Sequence, residues 1–239
     1  MNLILTLAGK YQRFIDEGYK IPKYLLPWGD RTIIYEIIKE LNKDKCFDNI
    51  VLVANKRDEI YMPHVRRIIN SLDIPKVNLI LISDTKGQVH TAYEGITQLT
   101  NMSNNNSLPV AFHNIDTILF NRDFKNLSKI LEQYDGYIDV FKSNNHNYSY
   151  VLEENNIVNT IEEKIVISNY ATSGFYAFSS IDIFKEYFNE NDRYISELYK
   201  RMIKNQCKIL ISDPSTETDT LVLGTPSSYL SSLYILDLL

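Results

Sequence analysis

The sequence predicts an α/β fold built on a largely parallel sheet, and two kinds of segment support that prediction. Apolar, β-branched runs such as NIVLVA at 49–54 are continuous, which is typical of strands buried on both faces. Between such runs lie segments such as 32–41, whose apolar residues recur at helical spacing along one face. Strands that alternate with helices imply right-handed crossover units and a parallel sheet covered on both sides.

The elements can be assigned in order along the chain. The first half predicts strands at 3–7, 49–54, 77–82 and 108–112, with helices at 32–41, 57–72 and 88–99. After Asp116 the alternation loosens, and the prediction is a helix at 124–134, shorter and partly antiparallel strands at 137–142, 149–153, 157–160 and 175–179, helices at 181–187 and 196–205, a strand at 208–212 and a helix at 227–238. No linker divides the chain, so we expect one domain, 1–239, with a Rossmann-like, mixed but mostly parallel sheet flanked by helices.

The composition narrows the range of functions. A formal net charge of −5 argues against nonspecific nucleic-acid binding, which needs a basic footprint. Cys46 and Cys207 lack metal-ligand spacing and are expected to be buried free thiols in a reducing compartment. The apolar run at 3–7 is too short for a signal peptide, and no later stretch has the length of a membrane span. We therefore expect a cytoplasmic protein without a nucleic-acid partner or a membrane span, and a homo-oligomer stays open.

The loop after the first strand combines small residues with several cations. The strand stops at Ala8-Gly9, and the cations that follow are Lys10, Arg13, Lys20 and Lys23. Small residues let a backbone approach a ligand closely, and clustered cations suit a polyanion such as a nucleoside triphosphate. An ordinary loop after a strand, with lysines exposed to solvent, explains the same residues equally well. A phosphate-binding loop and an ordinary surface loop therefore both stay open.

Strand ends are the informative positions, because ligands of an open parallel sheet bind outside the carboxyl ends of its strands. Asp116 follows the apolar run 109–112 in the segment HNID, close to Asn114. A carboxylate there could hold magnesium, which takes one or two protein oxygens and completes its octahedron with water and phosphate. The alternative is that Asp116 caps a helix or turn.

Two further segments occupy strand ends. In the segment SDTKGQ at 83–88, Gly87 would let the backbone pack against a planar ring, and exposed amides there can read base edges. A plain helix cap by Thr85 or Asp84 is the alternative. Glu163-Lys164 offers a point charge suited to a substrate phosphate, or else a surface ion pair.

In this order, these segments resemble the sugar-1-phosphate nucleotidyltransferases, or NDP-sugar pyrophosphorylases. LAGKYQRF followed by IPKYLLPWGDRTI resembles the family's opening signature of strand, glycine-rich loop, arginine and Pro-Lys. HNIDTIL stands where the family carries its metal aspartate, and KGQVHTAYEGI resembles its base-contacting segment. EEKIVISNYATSGFYAF resembles its sugar-phosphate segment and LGTPSSY its closing Gly-Thr-Pro element, so the matches cover nearly the whole chain.

The resemblance implies a nucleotidyltransferase fold, similar to GT-A, with a nucleotide-binding half at about 1–120 and an acceptor-binding half at about 121–239. It implies Mg²⁺ as cofactor, and a nucleoside triphosphate and a small phosphorylated acceptor as partners. The implied catalytic residues are Arg13, Lys23 and Asp116. The implied nucleotide-binding residues are Leu7, Ala8, Gly9, Lys10, Arg13, Lys23, Ser83, Thr85, Gly87 and Gln88. The implied acceptor-binding residues are Asn114, Glu163, Lys164, Thr172 and Gly174.

The implied reaction is attack by an acceptor phosphate oxygen on the α-phosphorus of the triphosphate, with release of pyrophosphate. Arg13 would bind the β- and γ-phosphates, and Lys23 would contact both the α-phosphate and the incoming oxygen. Asp116 would hold magnesium. Lys164, oriented by Glu163, would hold the acceptor phosphate.

The chain departs from the family pattern in three places. Tyr11 and Gln12 stand where the family's loop often has a second glycine and a small residue, and Ile115 replaces the glycine before the metal aspartate. Val222 stands where many members have a second metal aspartate. Asp219 is then the remaining candidate for a second metal ligand, although its odd offset along a strand would put it on the other face.

We expect a role in the synthesis of precursors for surface polysaccharide, such as capsule, or other glycans. Two alternatives stay open. One is a module that binds a nucleotide or sugar phosphate without turnover, which Val222 motivates. The other is a nucleotide-sugar-dependent glycosyltransferase, although such enzymes usually have an Asp-x-Asp metal site where this chain has Asn114-Ile115-Asp116.

Overall fold

The computed structural model describes residues 1–72, 74, 76–102 and 105–236. Its strands are β1 (Asn2–Thr6), β2 (Pro27–Trp28), β3 (Arg31–Thr32), β4 (Asn49–Asn55), β5 (Val77–Ile82), β6 (Val110–Asn114), β7 (Thr117–Leu119), β8 (Gly136–Lys142), β9 (Ser149–Glu154), β10 (Ile157–Glu163), β11 (Tyr170–Phe178), β12 (Ile209–Ile211) and β13 (Thr220–Val222). Its α-helices are α1 (Gln12–Asp16), α2 (Ile33–Asn42), α3 (Met62–Asn70), α4 (Gln88–Met102), α5 (Leu127–Ile130), α6 (Ile181–Tyr187), α7 (Ile195–Lys204) and α8 (Pro226–Leu236). Short 3₁₀ helices lie at Lys23–Leu25 and Lys56–Tyr61.

Within the described residues, nine strands form one sheet in the order β5-β4-β1-β6-β11-β8-β12-β10-β9. The first four run parallel, and Leu5 of β1 lies opposite Leu52 on one side and His113 on the other. β11 is antiparallel to both β6 and β8. The predicted α/β fold with a mixed sheet is therefore confirmed, and the continuous parallel region lies in the first half of the chain.

Helices cover both faces of the sheet because alternate residues of each central strand point to opposite faces. In β1, Leu3 and Leu5 share one apolar cluster with α2, whereas Ile4 belongs to a second cluster with α4. All three side chains are fully buried. This burial on both faces explains why the parallel strands read as continuous apolar runs.

Two predicted helices differ from the structure. The segment 57–72 is a 3₁₀ helix followed by α3, because Pro63 fits the first turn of a helix but would remove a hydrogen bond from the interior of a longer one. The segment 124–134 is α-helical only over α5, and turn hydrogen bonds such as Leu127 N–H to Phe124 O flank it. For the helix predicted at 227–238, α8 covers most of the segment, and positions 237 and 238 lie outside the described residues.

β11 begins earlier than the strand predicted at 175–179. Its register shifts between Thr172 and Tyr176, where Gly174 takes a φ of +88°. A bulge of this kind bends a strand and interrupts its alternation of side chains. The interruption hid the first part of the strand from pattern analysis.

Two short antiparallel pairs were not predicted from sequence. β2 and β3 form a hairpin around Gly29, and β7 pairs with β13. The C-terminal helix α8 packs against the hairpin, where Trp28 Nε1–H donates to Ser232 Oγ at 3.0 Å. Among the described residues, no helix has the length and apolar character needed to cross a membrane.

Candidate active site

A cleft of about 700 Å³ opens at the carboxyl ends of β1, β5 and β6. Both halves of the chain contribute to its walls. Most of the predicted site residues line it, namely Ala8, Gly9, Lys10, Arg13, Lys23, Thr85, Gly87, Gln88, Asn114, Asp116, Glu163, Lys164, Thr172 and Gly174. Residues that are far apart in sequence thus meet in one cavity.

The loop after β1 is held in place by Arg57. The Arg57 guanidinium donates to the carbonyl oxygens of Ala8 at 2.8 Å and Gly9 at 2.7 Å. Tyr11 then takes a left-handed conformation with a φ of +39°, immediately before helix α1, which carries Arg13. The Arg57 side chain, which lies outside the loop, therefore holds the part of the chain that leads to Arg13.

Lys23 and Asp116 form an ion pair in the cleft wall. Lys23 Nζ lies 2.5 Å from Asp116 Oδ2, and the two side chains are 15% and 23% exposed. Burial raises the pKa of Asp116, but the Lys23 ammonium and its hydrogen bond outweigh that effect and hold the pKa below its usual value. Asp116 is therefore ionised at neutral pH.

The turn that carries Asp116 is fixed by its neighbours. The buried His113 Nε2–H donates to the Thr117 carbonyl at 2.7 Å, and the Leu223 N–H donates to the Asp116 carbonyl at 2.6 Å. Burial lowers the pKa of His113, so the ring stays neutral. A Cβ built on Gly224 would lie 3.4 Å from Asp116 Oδ2, which shows that the closing Gly-Thr-Pro segment runs beside the carboxylate.

The expected base-contacting segment packs against the loop before α7. A Cβ on Gly87 would overlap the Arg193 carbonyl oxygen and lie 2.7 Å from the Arg193 Cα, so this approach needs glycine. Gln88 Nε2 donates to Asn114 Oδ1, and Gln88 Oε1 accepts from the Ile195 N–H at 3.5 Å. The Gln88 amide thus links two walls of the cleft.

Lys164 contacts Tyr194 at the other end of the cleft. Its Nζ donates to the Tyr194 hydroxyl at 3.0 Å and lies 4.9 Å from the centroid of the ring. That hydrogen bond raises the pKa of Lys164, so the ammonium stays charged. Glu163 accepts hydrogen bonds from the hydroxyls of Ser149 and Ser196. Glu163 also favours the charged form of Lys164 electrostatically, whereas Tyr194 makes the hydrogen bond to the ammonium.

Polar side chains surround the cavity near Lys164. A Cβ on Gly174 would lie 2.5 Å from Asn114 Nδ2, so the bulge in β11 brings the backbone against this amide. Thr172 Oγ1 lies 2.9 Å from the Tyr176 hydroxyl. The loop that connects β8 to β9 adds three residues to the cleft that were not among the predicted site residues, namely Asn145, Asn147 and Tyr148. This end of the cleft is therefore rich in amide and hydroxyl groups.

A family model described as nucleotidyl transferase matches residues 2–231 of the chain. The chain belongs to the nucleotidyl transferase family. No curated protein sequence shows a significant match to it.

Three solved structures have a fold similar to that of this nucleotidyl transferase. The nucleoside-diphosphate-sugar pyrophosphorylase from Vibrio cholerae RC9 has a TM-score of 0.86 at 22% identity, covering 97% of this chain and 99% of that one. A Bacillus anthracis protein assigned as a glucose-1-phosphate thymidylyltransferase, in complex with sucrose, has a TM-score of 0.81 at 15% identity, covering 98% and 94%. A UDP-glucose pyrophosphorylase complexed with UDP-glucose has a TM-score of 0.76 at 18% identity, covering 99% and 98%. At these identities the likeness establishes the fold.

Nucleotidyl transferases of this family generally use a divalent metal ion, and Asp116 has the chemistry to hold one. Its carboxylate is ionised and lines the cleft. The described residues contain no group of three or more His, Cys, Asp or Glu side chains that could enclose a metal. One carboxylate suits magnesium, which often takes most of its ligands from water and substrate phosphates.

Asp219, the second predicted metal ligand, lies apart from Asp116. Its carboxylate lies outside the cleft and accepts hydrogen bonds from Asn121 and Thr216, both at 2.7 Å. The register of β7 and β13 explains its position, because Val222 pairs beside Asp116 whereas Asp219 lies at the opposite end of the ladder. The structure therefore does not bring Asp219 and Asp116, the two predicted metal ligands, together.

Two expected nucleotide contacts also lie outside the cleft lining. Leu7 is 1% exposed and continues the course of β1, with its N–H donating to Val53 O at 2.8 Å. Ser83 is exposed to solvent beyond the lining. Conversely, sequence reasoning missed Tyr194, because 30 residues separate it from Lys164 and no motif marks it.

Proposed function

We propose that this nucleotidyl transferase moves a nucleoside monophosphate group from a nucleoside triphosphate to a small phosphate monoester, namely a sugar 1-phosphate, and releases pyrophosphate. The ion pair of Lys23 and Asp116 is the observation that carries the proposal, because it lines one cleft together with cations from two separate segments. Lys10 and Arg13 follow β1, and Lys164 follows β10. Two phosphorylated substrates need positive charge on both sides of the reacting phosphorus.

Arg13 suits the β- and γ-phosphates of the triphosphate. A guanidinium can make two parallel hydrogen bonds to phosphate oxygens, and the Arg13 side chain is exposed to the cleft. Neutralising these phosphates stabilises pyrophosphate as it leaves. Ala8, Gly9 and Gly87 present little side chain, so a base can lie close to the backbone there.

Lys23 suits the α-phosphate, where the bond to the acceptor oxygen forms and the bond to the pyrophosphate oxygen breaks. Its ammonium offsets negative charge on the oxygens of that phosphate while the bonds exchange. Asp116 orients Lys23 and is the residue that would hold magnesium. A bound magnesium ion would polarise the phosphate and neutralise its charge. The acceptor phosphate is already ionised at neutral pH, so the protein needs no general base for the attack.

The acceptor end supports a phosphorylated sugar as the second substrate. Lys164, oriented by Tyr194, suits the phosphate. Asn145, Asn147 and Thr172 line the neighbouring wall, and amides and hydroxyls of this kind hydrogen-bond to sugar hydroxyls. Solved structures of similar fold include pyrophosphorylases of nucleotide sugars, which supports the same class. A nucleotide sugar made here would serve synthesis of surface polysaccharide, such as capsule, in the cytoplasm, where nucleoside triphosphates are available.

A substrate panel tests the proposal. The protein is incubated with magnesium, one of ATP, CTP, GTP, UTP or dTTP, and one of several sugar 1-phosphates, and pyrophosphate release is measured. Release that requires both substrates and yields the nucleotide sugar is the expected result. Saturable triphosphate binding without release in any pairing would indicate a binding module instead. Transfer of sugar from a nucleotide sugar to a hydroxyl acceptor would indicate a glycosyltransferase.

Substitutions at the central ion pair test the roles given to its members. We expect Lys23→Ala and Asp116→Ala each to lower kcat/KM by about 100-fold or more, with the fold preserved. Asp44 and Lys125 form an ion pair at 3.3 Å outside the cleft lining and provide matched controls. Asp44→Ala and Lys125→Ala should turn over at the wild-type rate. Wild-type activity in Lys23→Ala or Asp116→Ala would exclude the assigned roles.

A further inference from the structure

Asp58 is a buried carboxylate that takes no part in the chemistry proposed above. It lies in the 3₁₀ helix Lys56–Tyr61 and has no exposed surface. One of its oxygens accepts a hydrogen bond from the Tyr11 hydroxyl at 2.7 Å, and the other accepts one from the Tyr24 hydroxyl at 3.1 Å. Arg57 Nε lies 3.9 Å from the same carboxylate. A carboxylate persists in such a place only where partners compensate for its lost hydration.

The two tyrosines belong to the two segments that carry cations into the cleft. Tyr11 is the residue that precedes α1, and α1 carries Arg13. Tyr24 directly follows Lys23 in a single 3₁₀ turn and is 1% exposed. One buried carboxylate therefore fixes the backbone next to both cations.

Tyr11 also holds a backbone conformation that residues other than glycine rarely adopt. Its φ is +39° and its ψ +36°. Such a conformation costs free energy for a residue with a Cβ, and it persists where surrounding contacts impose it. Here the contacts are the hydrogen bond to Asp58 and the Arg57 guanidinium, which lies 5.7 Å from the centroid of the Tyr11 ring. Arg57 also donates to Ala8 and Gly9, so the loop is held along its length.

We propose that Asp58 is a positioning residue that sets the separation of Arg13 and Lys23 through Tyr11 and Tyr24. It thereby keeps these two triphosphate-binding side chains in place before the substrate binds. The inference rests on the proposed function, because it concerns the phosphate contacts assigned there. A loop that is already ordered avoids the entropy cost of ordering on binding, and small displacements of a phosphate contact slow the reaction.

Tyr11→Phe and Tyr24→Phe cut the two links separately, each by removing one oxygen atom. We expect Tyr11→Phe to raise the KM and Kd for the triphosphate about tenfold while kcat and the Kd for the nucleoside monophosphate change less than about twofold. The monophosphate lacks the phosphates assigned to Arg13, so its binding reports on the rest of the site. We expect Tyr24→Phe to lower kcat about tenfold with little change in the KM for the triphosphate, because Lys23 is assigned to the reacting phosphate.

Tyr199→Phe is a matched control for the loss of a buried hydroxyl. The Tyr199 side chain is fully buried, lies outside the cleft lining and donates to the Ala177 carbonyl at 2.7 Å. The Tyr199→Phe substitution should lower the melting temperature and leave KM and kcat at wild-type values. If Tyr11→Phe and Tyr24→Phe do the same, Asp58 has only a structural role and the proposal is overturned. Wild-type kinetics and melting temperature in both variants overturn it as well.

If the proposed function is wrong, the wild-type protein itself will give a different result. The wild-type protein would then bind a triphosphate without releasing pyrophosphate, and the comparison of Kd values for triphosphate and monophosphate in Tyr11→Phe would still decide the role of Asp58. A wild-type protein that neither binds nor turns over any triphosphate overturns both proposals. Isothermal titration of the full chain with each nucleotide provides these affinities.

Discussion

Tyr194 determines how Lys164 meets a substrate. The tyrosine reaches the cleft from the loop before α7, and its hydroxyl and ring both contact the ammonium. The hydrogen bond favours the charged form of Lys164 and limits the positions that a flexible four-carbon side chain can take. A phosphate that binds here therefore meets a cation whose position and charge are already set.

Graded substitution of Tyr194 should affect the acceptor alone. We expect Tyr194→Phe, which keeps the ring but loses the hydrogen bond, to raise the KM for the acceptor about threefold, and Tyr194→Ala to raise it about tenfold. The KM for the triphosphate should stay at its wild-type value in both. Steady-state kinetics with each substrate varied in turn provides the measurement. Equal increases in both KM values would contradict a role confined to the acceptor end.

Cys46 should be a poor nucleophile in the folded protein. Burial raises the pKa of its thiol from about 9 to about 11. At pH 8 the thiolate fraction, and with it the rate of alkylation by iodoacetamide, should be about 100-fold lower than in the unfolded chain. Mass spectrometry of the Cys46 peptide after timed exposure, with and without guanidinium, measures both rates. Similar rates in the two states would contradict the prediction.

The same thiol makes stability depend on pH. Between pH 9 and pH 11 the unfolded chain releases the Cys46 proton while the folded chain keeps it, so the free energy of unfolding falls as the pH rises. The contribution is fully present below pH 9. The urea concentration at the unfolding midpoint should therefore decrease more between pH 8 and pH 10 in the wild type than in Cys46→Ala. An equal drop in the two proteins would show that Cys46 does not contribute.

At the scale of elements, Gly87 controls how closely two loops approach. Gly87→Ala would place a methyl group against the Arg193 carbonyl, so the expected base-contacting segment and the loop before α7 must separate. We expect the melting temperature to fall by about 5 °C and the KM for the triphosphate to rise. Differential scanning fluorimetry and steady-state kinetics measure the two effects.

Gly9→Ala is the matched control for the effect on stability, because no atom lies within 4 Å of a Cβ built on Gly9. It should melt within about 1 °C of the wild type. A Gly87→Ala protein that melts and binds as the wild type would show that the two loops tolerate separation.

Elements with a regular pattern could be predicted from sequence, and irregular ones could not. The buried strands and α2 follow the periods of a strand and a helix, so residues such as Ile37 and Leu52 mark them directly. The bulge at Gly174 and the short β7–β13 ladder depend on pairing with distant strands. Local sequence carries little information about such pairing.

The same distinction applies to the site. The strand-end position of Asp116 made it a candidate, and the resemblance to the sugar-1-phosphate nucleotidyltransferases assigned both Asp116 and Lys23 to the site. The position of Asp219 could not, since it depends on the register of β13 against β7. Tyr194 and Asp58 reach the site through tertiary contacts that no local motif encodes.

At the scale of the molecule, the proposed nucleotide and acceptor halves share one sheet. β11 belongs to the second half of the chain and pairs with β6 of the first. In addition, α8 packs on the β2–β3 hairpin, where the Tyr229 hydroxyl donates to Pro27 O at 2.6 Å. Neither half encloses the cleft alone, because Lys23 and Asp116 come from the first half and Lys164 from the second.

This shared architecture predicts that the chain unfolds as one cooperative unit. Trp28 is the only tryptophan of the sequence, and its indole contacts Ser232 of α8, so its fluorescence reports on the contact between the N-terminal hairpin and the C-terminal helix. Far-UV circular dichroism reports on the secondary structure of both halves. Because both halves share one core, detachment of α8 from the hairpin should be accompanied by unfolding of both halves. The fluorescence and circular dichroism signals should then follow one thermal transition, with equal calorimetric and van't Hoff enthalpies. Two resolved transitions would mean that the halves are separate folding units, despite the continuous sheet.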